Sequence, residues 1–207
     1  MIGVIFSTEE EAKPFLKKYE RGRFDGLVEG EAYHDDDVLV TLVGTGKIKA
    51  TLRAERLLRS YDLDRVLHIG TCSALNTDLK VGTVVAASQV FEGDRIEMSS
   101  PSYPRMPLET PLVAAQRATL VTQDHTISGE TEMNYWQRIA DIVDMSGYAI
   151  AYVAATHGVP CNIVKVVSAH VLQEDEALKK TLTKAHQAIS DFLVRELTAQ
   201  QQVSEQS

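Results

Sequence analysis

The sequence predicts an α/β fold, in which a single domain has a mixed, mostly parallel central sheet flanked by helices. Short apolar runs, typical of strands buried on both faces, alternate with segments of helical periodicity. The length of 207 residues suffices for one domain with a sizeable core. We find no internal repeat or linker. We therefore expect one domain over residues 1–199, followed by a polar tail over residues 200–207.

The first half of the chain supplies the clearest elements. Met1–Phe6 is a continuous apolar run and predicts a strand. Thr8 and Glu11 have capping-box spacing, which predicts a helix running to about Tyr19. Arg23–Tyr33 alternates loosely and indicates a hairpin arm. The elements expected next are a strand at Val38–Val43, a helix after Gly44–Lys47, a strand at Arg65–Gly70 and a loop over Thr71–Lys80.

The second half continues the alternation. Residues 98–112 contain four prolines and indicate an exposed loop. A short buried strand ending near Asp144 precedes a helix of small residues, Gly147–Ala155. Further β-rich runs are Val81–Val90, Thr119–Thr122 and Cys161–Val167. A final helix, about Glu174–Thr198, places one apolar face along Leu178, Leu182, Ala185, Ile189, Phe192 and Leu193.

The composition argues against several classes of partner. The formal net charge is −8 and no stretch is rich in Lys or Arg, which argues against nucleic acid and anionic membranes. The N-terminus lacks a signal-peptide pattern, and no apolar run approaches the roughly 20 residues that span a bilayer. The two cysteines, Cys72 and Cys161, have no paired spacing and fit reduced thiols. We expect a cytoplasmic protein.

Ligands in α/β sheets of this kind bind at the carboxyl ends of the strands. The predicted walls of one pocket are therefore the loops after Phe6, Val43, Gly70, Thr122, Met145 and Val167. The Gly44–Ala50 turn also fits the loose G-x-G-x-x-G/A pattern of dinucleotide-binding loops. That pattern alone is weak, because the first strand lacks it, so an oxidoreductase is the least favoured class.

Six short segments stand in an order that is typical of one enzyme superfamily. They are Ile5–Glu11, Gly44–Lys47, Gly70–Leu75, Val81–Val85, Asp144–Gly147 and Val164–Ala169. Together they resemble the methylthioadenosine/adenosylhomocysteine nucleosidases of the nucleoside phosphorylase superfamily, over nearly the whole chain. The resemblance implies cleavage of the N-glycosidic bond of a purine nucleoside or related compound. It also implies no cofactor, a homodimer, and water or phosphate as the attacking group.

The resemblance also assigns site residues. Glu11 corresponds to the acid that positions the attacking water, and Asp124 stands where the family has an aspartate beside the base pocket. We therefore predict Glu11 and Asp124 as catalytic. The predicted substrate-binding residues are Thr45, Gly70, Thr71, Cys72, Thr126, Ile127, Met145, Ser146, Ser168 and Ala169.

Two positions depart from the family pattern. Ser146 stands where the family has a ribose-binding glutamate, and Ala169 stands where it has the acid that protonates the leaving base. An alanine cannot transfer a proton, and losing a general acid typically costs ~10²–10⁴-fold in rate. Two functions therefore remain open: an enzyme with an altered active site, or a non-catalytic or repurposed relative that binds a purine or nucleoside.

The remaining nucleophilic and metal-binding candidates have simpler interpretations. His170 follows Ala169 directly, and strand alternation predicts that its side chain points away from the pocket. His68 is expected to be a buried core histidine. Cys72 lacks an obvious histidine partner, so a small buried side chain is the expected role. The histidines show no metal-ligand spacing, and we expect no metal site.

Overall fold

Strands and helices alternate along the chain, of which this computed structural model describes residues 1–94, 104–173 and 175–204. The described elements are β1 (Ile2–Phe6), α1 (Glu9–Lys18), β2 (Ala32–His34), β3 (Val38–Leu42), α2 (Lys47–Ser60), β4 (Arg65–Ala74), β5 (Val84–Glu92), β6 (Arg105–Pro107), β7 (Gln116–Thr122), α3 (Glu130–Trp136), β8 (Ile142–Asp144), α4 (Gly147–Thr156), β9 (Cys161–His170) and α5 (Asp175–Ser204). None of the helices within these ranges combines the length and apolar composition needed to cross a membrane.

The described strands form one mixed sheet, which confirms the predicted α/β class. Its order is β2-β3-β1-β4-β8-β7-β5-β6, and β9 pairs with both β4 and β5. Strand β9 thereby closes a ring made of β4, β8, β7, β5 and β9. The pairs β1–β3, β1–β4, β4–β9, β5–β7 and β7–β8 are parallel, whereas β2–β3, β4–β8, β5–β6 and β5–β9 are antiparallel.

Helices cover both faces of the sheet, and the alternation of β1 shows why. Ile5 packs in a cluster with residues of α2 and α4, whereas Val4 and Phe6 pack with α1 and α5. Successive side chains of a strand point to opposite faces, so a strand covered on both sides must be apolar throughout. This accounts for the continuous apolar run at the start of the chain.

Two helices agree closely with the sequence prediction. The capping box of α1 is present: Glu11 N donates to Thr8 Oγ1, and Thr8 N donates to the Glu11 carboxylate. The predicted apolar face of α5 is buried at Ala185, Ile189, Phe192 and Leu193. Helix α5 continues beyond the predicted domain boundary at 199 to Ser204. Glu174, the predicted first residue of this helix, lies outside the described residues.

Several elements differ from the prediction. Strand β4 continues to Ala74, where a loop was expected from Thr71, because β9 and β8 pair with its extension. The expected hairpin arm at 23–33 is strand only from Ala32. Glycines at positive φ, including Gly26 and Gly30, turn the chain before it. Helix α3 was not predicted. In the proline-rich segment, residues 105–107 form β6, and residues 98–103 lie outside the described part.

Candidate active site

A cavity of about 530 Å³ lies at the carboxyl ends of β1, β4, β8 and β9, where a parallel sheet is expected to hold its ligand. Ten of the predicted site residues line it: Glu11, Thr45, Thr71, Cys72, Thr126, Ile127, Met145, Ser146, Ser168 and Ala169. Gly70 and Asp124 are not among the lining residues. The structure thus brings distant segments together as the sequence predicted, while binding by these residues stays a prediction.

Glu11 is a buried carboxylate on the cavity wall. Its Oε1 accepts hydrogen bonds from Thr71 N at 2.6 Å and from Thr71 Oγ1 at 2.7 Å. Its Oε2 accepts from Thr8 N at 3.2 Å. Glu11 is only 5% exposed, so these donors replace the water that the carboxylate loses on burial. The carboxylate is therefore fixed in one orientation beside the cavity.

Gly70 explains how the carboxylate of Glu11 comes so close to β4. A Cβ atom added at Gly70 would lie 2.9 Å from Glu11 Oε1. Such a separation is shorter than van der Waals contact allows, so a side chain here would displace the carboxylate. Gly70 thus serves the site by leaving space, although it does not line the cavity.

An ion pair buried beneath the cavity joins Lys165 and Asp144. Lys165 Nζ lies 2.9 Å from Asp144 Oδ2, and both side chains are almost fully enclosed. Burial would raise the pKa of the Asp144 carboxyl. The Lys165 ammonium and the hydrogen bond from Thr122 outweigh burial and hold that pKa well below its usual range. Asp144 is therefore ionised and is neutralised by Lys165.

His68 connects this ion pair to the serines of the cavity floor. Its Nδ1 lies 3.0 Å from the carbonyl oxygen of Ile5, which can only accept, so Nδ1 carries the proton. Its Nε2 then accepts from Lys165 Nζ at 2.8 Å. Burial, followed by the Lys165 charge, lowers the pKa of His68, and the ring is neutral. This confirms His68 as a buried histidine.

Ser146 and Ser7 extend this hydrogen-bond network to the surface of the cavity. Ser146 Oγ lies 3.1 Å from His68 Nε2 and 3.0 Å from Ser7 Oγ. Both serines line the cavity. Because the lone pair of Nε2 already accepts from Lys165, the serine pair offers hydroxyl donors and acceptors rather than an activated nucleophile. The floor is therefore polar but carries no unpaired charge.

Strand β9 contains a bulge where it borders the cavity. Cys72 pairs with Val167, but Ser73 pairs with Ala169, which leaves Ser168 as an additional residue. Ser168, Ala169 and His170 all line the cavity. Ala169 and His170 pair with Ser73 and Ala74 in continuous register, so the alternation between them persists, and the direction of the His170 side chain stays a prediction. The Nε2 of His170 lies 3.0 Å from the Leu79 carbonyl.

Asp124 lies outside the cavity and is exposed. Its Oδ1 accepts a hydrogen bond from Lys47 N at 2.8 Å, at the first residue of α2. This contact places a carboxylate at a helix N-terminus, where the helix dipole favours negative charge. The geometry therefore supports a helix-capping role for Asp124.

His125, the next residue along, reaches the cavity between two carboxylates. Its Nε2 lies 2.7 Å from Glu132 Oε1, and its Nδ1 lies 3.2 Å from Asp94 Oδ1. The hydrogen bond to Glu132 is the largest influence, and it raises the pKa of His125. Both ring nitrogens are thus held by protein groups.

Sequence reasoning missed the roles of Lys165 and His186. Lys165 is a single charged residue within the apolar run of β9, which signals a buried partner of opposite charge. His186 on α5 lines the cavity, and burial lowers its pKa despite the nearby Glu11 and Glu10 carboxylates. Within the described ranges, no group of three or more His, Cys, Asp or Glu side chains is arranged to hold a metal ion.

Comparison with known proteins identifies the family of this chain. A family model described as the phosphorylase superfamily matches residues 1–198. The chain belongs to this superfamily. The aminodeoxyfutalosine nucleosidase of Helicobacter pylori is 24% identical, over 93% of this chain and 95% of the relative. A 5'-methylthioadenosine/S-adenosylhomocysteine nucleosidase of Marinomonas is 28% identical, over 71% of this chain and 70% of the relative.

Solved structures of phosphorylase superfamily members share the fold. The methylthioadenosine/adenosylhomocysteine nucleosidase of Helicobacter pylori superimposes with a TM-score of 0.77 at 19% identity, covering 96% of this chain and 97% of that protein. A Colwellia psychrerythraea nucleosidase of the same kind, solved in complex with adenine, gives 0.78 at 19% identity, with 95% and 94% covered. The matched relatives are thus hydrolases of glycosidic bonds, with the same architecture.

Proposed function

We propose that this protein is a nucleosidase that cleaves the N-glycosidic bond of a nucleoside, with water as the attacking group. The observation that carries the proposal is the fixed Glu11 carboxylate on the cavity wall, held by Thr71 and Thr8. A carboxylate in this position can accept a proton from an attacking water molecule. The nucleosidase relatives of the superfamily support the same reaction class.

The cations near the cavity favour water over phosphate. Lys47 Nζ lies 2.8 Å from Glu92 and 2.7 Å from Asp94. Partial burial opposes its charge, but the two carboxylates outweigh burial and raise the pKa of Lys47. Arg53 is bound to Glu29 and to the Val43 carbonyl. These charges are neutralised within the protein, whereas a phosphate would need cations free to bind it.

Two backbone amides of the Gly44–Lys47 turn, those of Gly44 and Lys47, are also occupied. Gly44 N donates to the Ser7 carbonyl at 2.8 Å, and Lys47 N donates to Asp124. An anion site at a helix N-terminus needs such amides to be free. This turn therefore supports the packing of β1 and α2 rather than a phosphate or dinucleotide site.

The proposed substrate lies with its sugar over the serine floor. Ser146 and Ser7 supply neutral hydrogen-bonding groups for sugar hydroxyls. Met145 and Ile127 supply apolar contacts, as expected for a nucleoside pocket with a few polar groups. Water attacks the anomeric carbon as the carbon–nitrogen bond breaks, and its proton passes to Glu11.

The decisive experiment compares Glu11→Gln with Glu9→Gln. Glu9 belongs to the same helical turn but is exposed and does not line the cavity. We expect Glu11→Gln to lower the rate of base release by ~10²–10⁴-fold, because the amide cannot accept the proton. Glu9→Gln serves as the matched control for the charge change. Equal base release by wild type and Glu11→Gln would refute the proposal.

A second candidate is a protein that binds a nucleoside or purine without cleaving it. It is favoured by one observation: Ala169 lines the cavity where the family resemblance expects the leaving-group acid. Isothermal titration separates the two candidates. Saturable binding of nucleosides, together with no base release from any purine or pyrimidine nucleoside, would establish the binding protein.

We further propose that two copies of the chain associate through α2 and α4. Ile48 and Leu52 on α2 are 76% and 66% exposed, and Tyr152 on α4 is 53% exposed. Helices α2 and α4 pack against each other, so these exposed apolar side chains lie on neighbouring helices on the same side of the sheet. The variant Leu52→Asp should be monomeric by light scattering at concentrations where wild type is dimeric. A monomeric wild type would refute this assembly.

A further inference from the structure

Cleavage of a glycosidic bond to a neutral base leaves the bonding electrons on the base nitrogen, where a proton must neutralise them. The proton donor has to lie in the cavity with an acidic hydrogen free to transfer. Each titratable side chain that lines the described cavity can be tested for this property. Whether the cavity contains such a proton donor decides whether the site can release a neutral base.

The carboxyl groups that line the described part of the cavity do not provide the proton. Glu11 accepts all of its described hydrogen bonds, which suits a base rather than an acid. Asp144 is ionised against Lys165, because its pKa is held low despite burial. Glu10 is exposed and lies on the same helical turn as Glu11, so it belongs to the side from which water attacks.

The histidines and Cys72 do not provide it either. The nitrogens of His125 are held by Glu132 and Asp94. His170 Nε2 donates to a backbone carbonyl, which keeps that proton from a ligand. Burial lowers the pKa of His186, so its ring lacks an acidic proton near neutrality. Burial raises the pKa of the Cys72 thiol, which makes it a still weaker acid.

Among the described residues, the part of the cavity wall that β9 forms carries no carboxylic acid. Strand β9 brings Ser168 and Ala169 to the cavity there, and Ser168 Oγ donates to the Cys72 carbonyl at 3.2 Å. The described cavity thus combines a fixed base for water with no acid for the leaving group. It also contains three carboxylates, Glu10, Glu11 and Asp144, against the single ammonium of Lys165.

We propose that the preferred substrates are nucleosides whose base already carries a positive charge, such as a purine alkylated at a ring nitrogen. This inference rests on the proposed nucleosidase function and names its substrate class. When the bond from the anomeric carbon to the base nitrogen breaks, its electrons neutralise the cationic base, which leaves without a proton. Water forms the new carbon–oxygen bond, and Glu11 takes the proton that water loses. The excess of carboxylates in the cavity attracts the cationic substrate.

The test uses guanosine and N7-methylguanosine, which differ by a methyl group on N7 and the positive charge that it confers. Base release is followed by chromatography, and each kcat/KM is divided by the spontaneous hydrolysis rate measured without protein. We expect the corrected kcat/KM to favour N7-methylguanosine by about 10²-fold or more, because guanosine lacks its proton donor. Nicotinamide riboside, a second cationic nucleoside, should also be cleaved. A corrected ratio near one, or a preference for guanosine, overturns the inference.

A matched pair of variants tests the missing proton directly. Ala169→Asp introduces an ionisable group on β9, whereas Ala169→Asn introduces the same shape without an acidic proton. We expect Ala169→Asp to raise guanosine cleavage at least about tenfold and Ala169→Asn to give no gain. Ala169 is 4% exposed, so a thermal melt must first show that each variant is folded. A folded Ala169→Asp that cleaves N7-methylguanosine but gains nothing on guanosine overturns the inference.

The outcomes also separate this inference from the proposed function. Cleavage of guanosine as fast as N7-methylguanosine, lost in Glu11→Gln, overturns the substrate class and leaves the nucleosidase intact. Cleavage of N7-methylguanosine that survives in Glu11→Gln supports the substrate class and refutes the role of Glu11. Binding without cleavage of either nucleoside refutes both and establishes the binding protein.

Discussion

Glu11 and Asp144 are two buried carboxylates in the same cavity, and their surroundings differ in kind. Glu11 is held by neutral donors, the Thr71 amide and hydroxyl and the Thr8 amide. Asp144 lies against a full positive charge, Lys165, and accepts further bonds from Thr122 and Gly147. Neutral donors orient a carboxylate without compensating its charge, whereas an ammonium compensates it. The comparison supports Glu11 for the proposed proton transfer and a structural role for Asp144.

The largest expected effect comes from breaking the ion pair of Asp144. Lys165→Met keeps a similar length but leaves the Asp144 carboxylate buried without its cation. We expect a loss of about 3–5 kcal/mol in the free energy of unfolding, measured by urea denaturation. The double variant Lys165→Met/Asp144→Asn should lose less, because no unpaired charge remains buried. If the losses of the single variants Lys165→Met and Asp144→Asn add up to the loss of the double variant, the two groups are not coupled. The contrast drawn between Asp144 and Glu11 would then fail.

A smaller effect, confined to activity, is expected from displacing Glu11. In Gly70→Ala the new Cβ would lie 2.9 Å from Glu11 Oε1, so the carboxylate must move. A shift of this kind costs up to about 10²-fold in kcat/KM. Gly129→Ala is the matched control, because Gly129 has φ −140° and no atom within 4 Å of an added Cβ. Full activity in Gly70→Ala would mean that the orientation of Glu11 does not matter.

The smallest effect concerns pH and sharpens the structural assignment. Burial and the Lys165 charge lower the pKa of His68 in the folded state. As the pH falls, His68 is therefore protonated in the unfolded state before it is protonated in the folded state. Stability should therefore fall as pH decreases below about 6.5, by at most about 1.4 kcal/mol per pH unit. His186 acts in the same direction and His125 in the opposite one. Asp144, whose pKa is lowered, adds a further loss only below about pH 4.

Urea denaturation between pH 5 and 8 measures this slope. The variant His68→Gln removes the titrating group while keeping polar atoms at the same place, so its slope should be shallower than that of wild type. Equal slopes for wild type and His68→Gln between about pH 5 and 6.5 would contradict a neutral, buried His68.

Local patterns predicted much of the fold. The capping box at Thr8 and the apolar face of α5 depend on residues close in sequence, and both are present. The extension of β4 to Ala74 depends on pairing with β8 and β9, which no local window of sequence contains. The same limit applies to the β9 bulge, which is visible only in the pairing of β9 with β4.

The candidate site also has features that the sequence predicted and features that it did not. Segment order brought the residues of one cavity together, including Glu11, Thr71 and Met145. Sequence reasoning did not find the Lys165–His68 contact, because it joins two strands far apart in the chain and is read only from their register. The position of Asp124 depends on its contact with Lys47, a residue on another element.

The bulge at Ser168 has a consequence for how this cavity can change over generations. Because Ser168, Ala169 and His170 all line the cavity, the chemistry of one wall is encoded by neighbouring codons. The preceding valines, Val166 and Val167, stay in the core and hold the strand in place. Substitutions at residues 168–170 can thus alter which compounds are processed while the framework persists. A lineage can explore new substrates there one point mutation at a time.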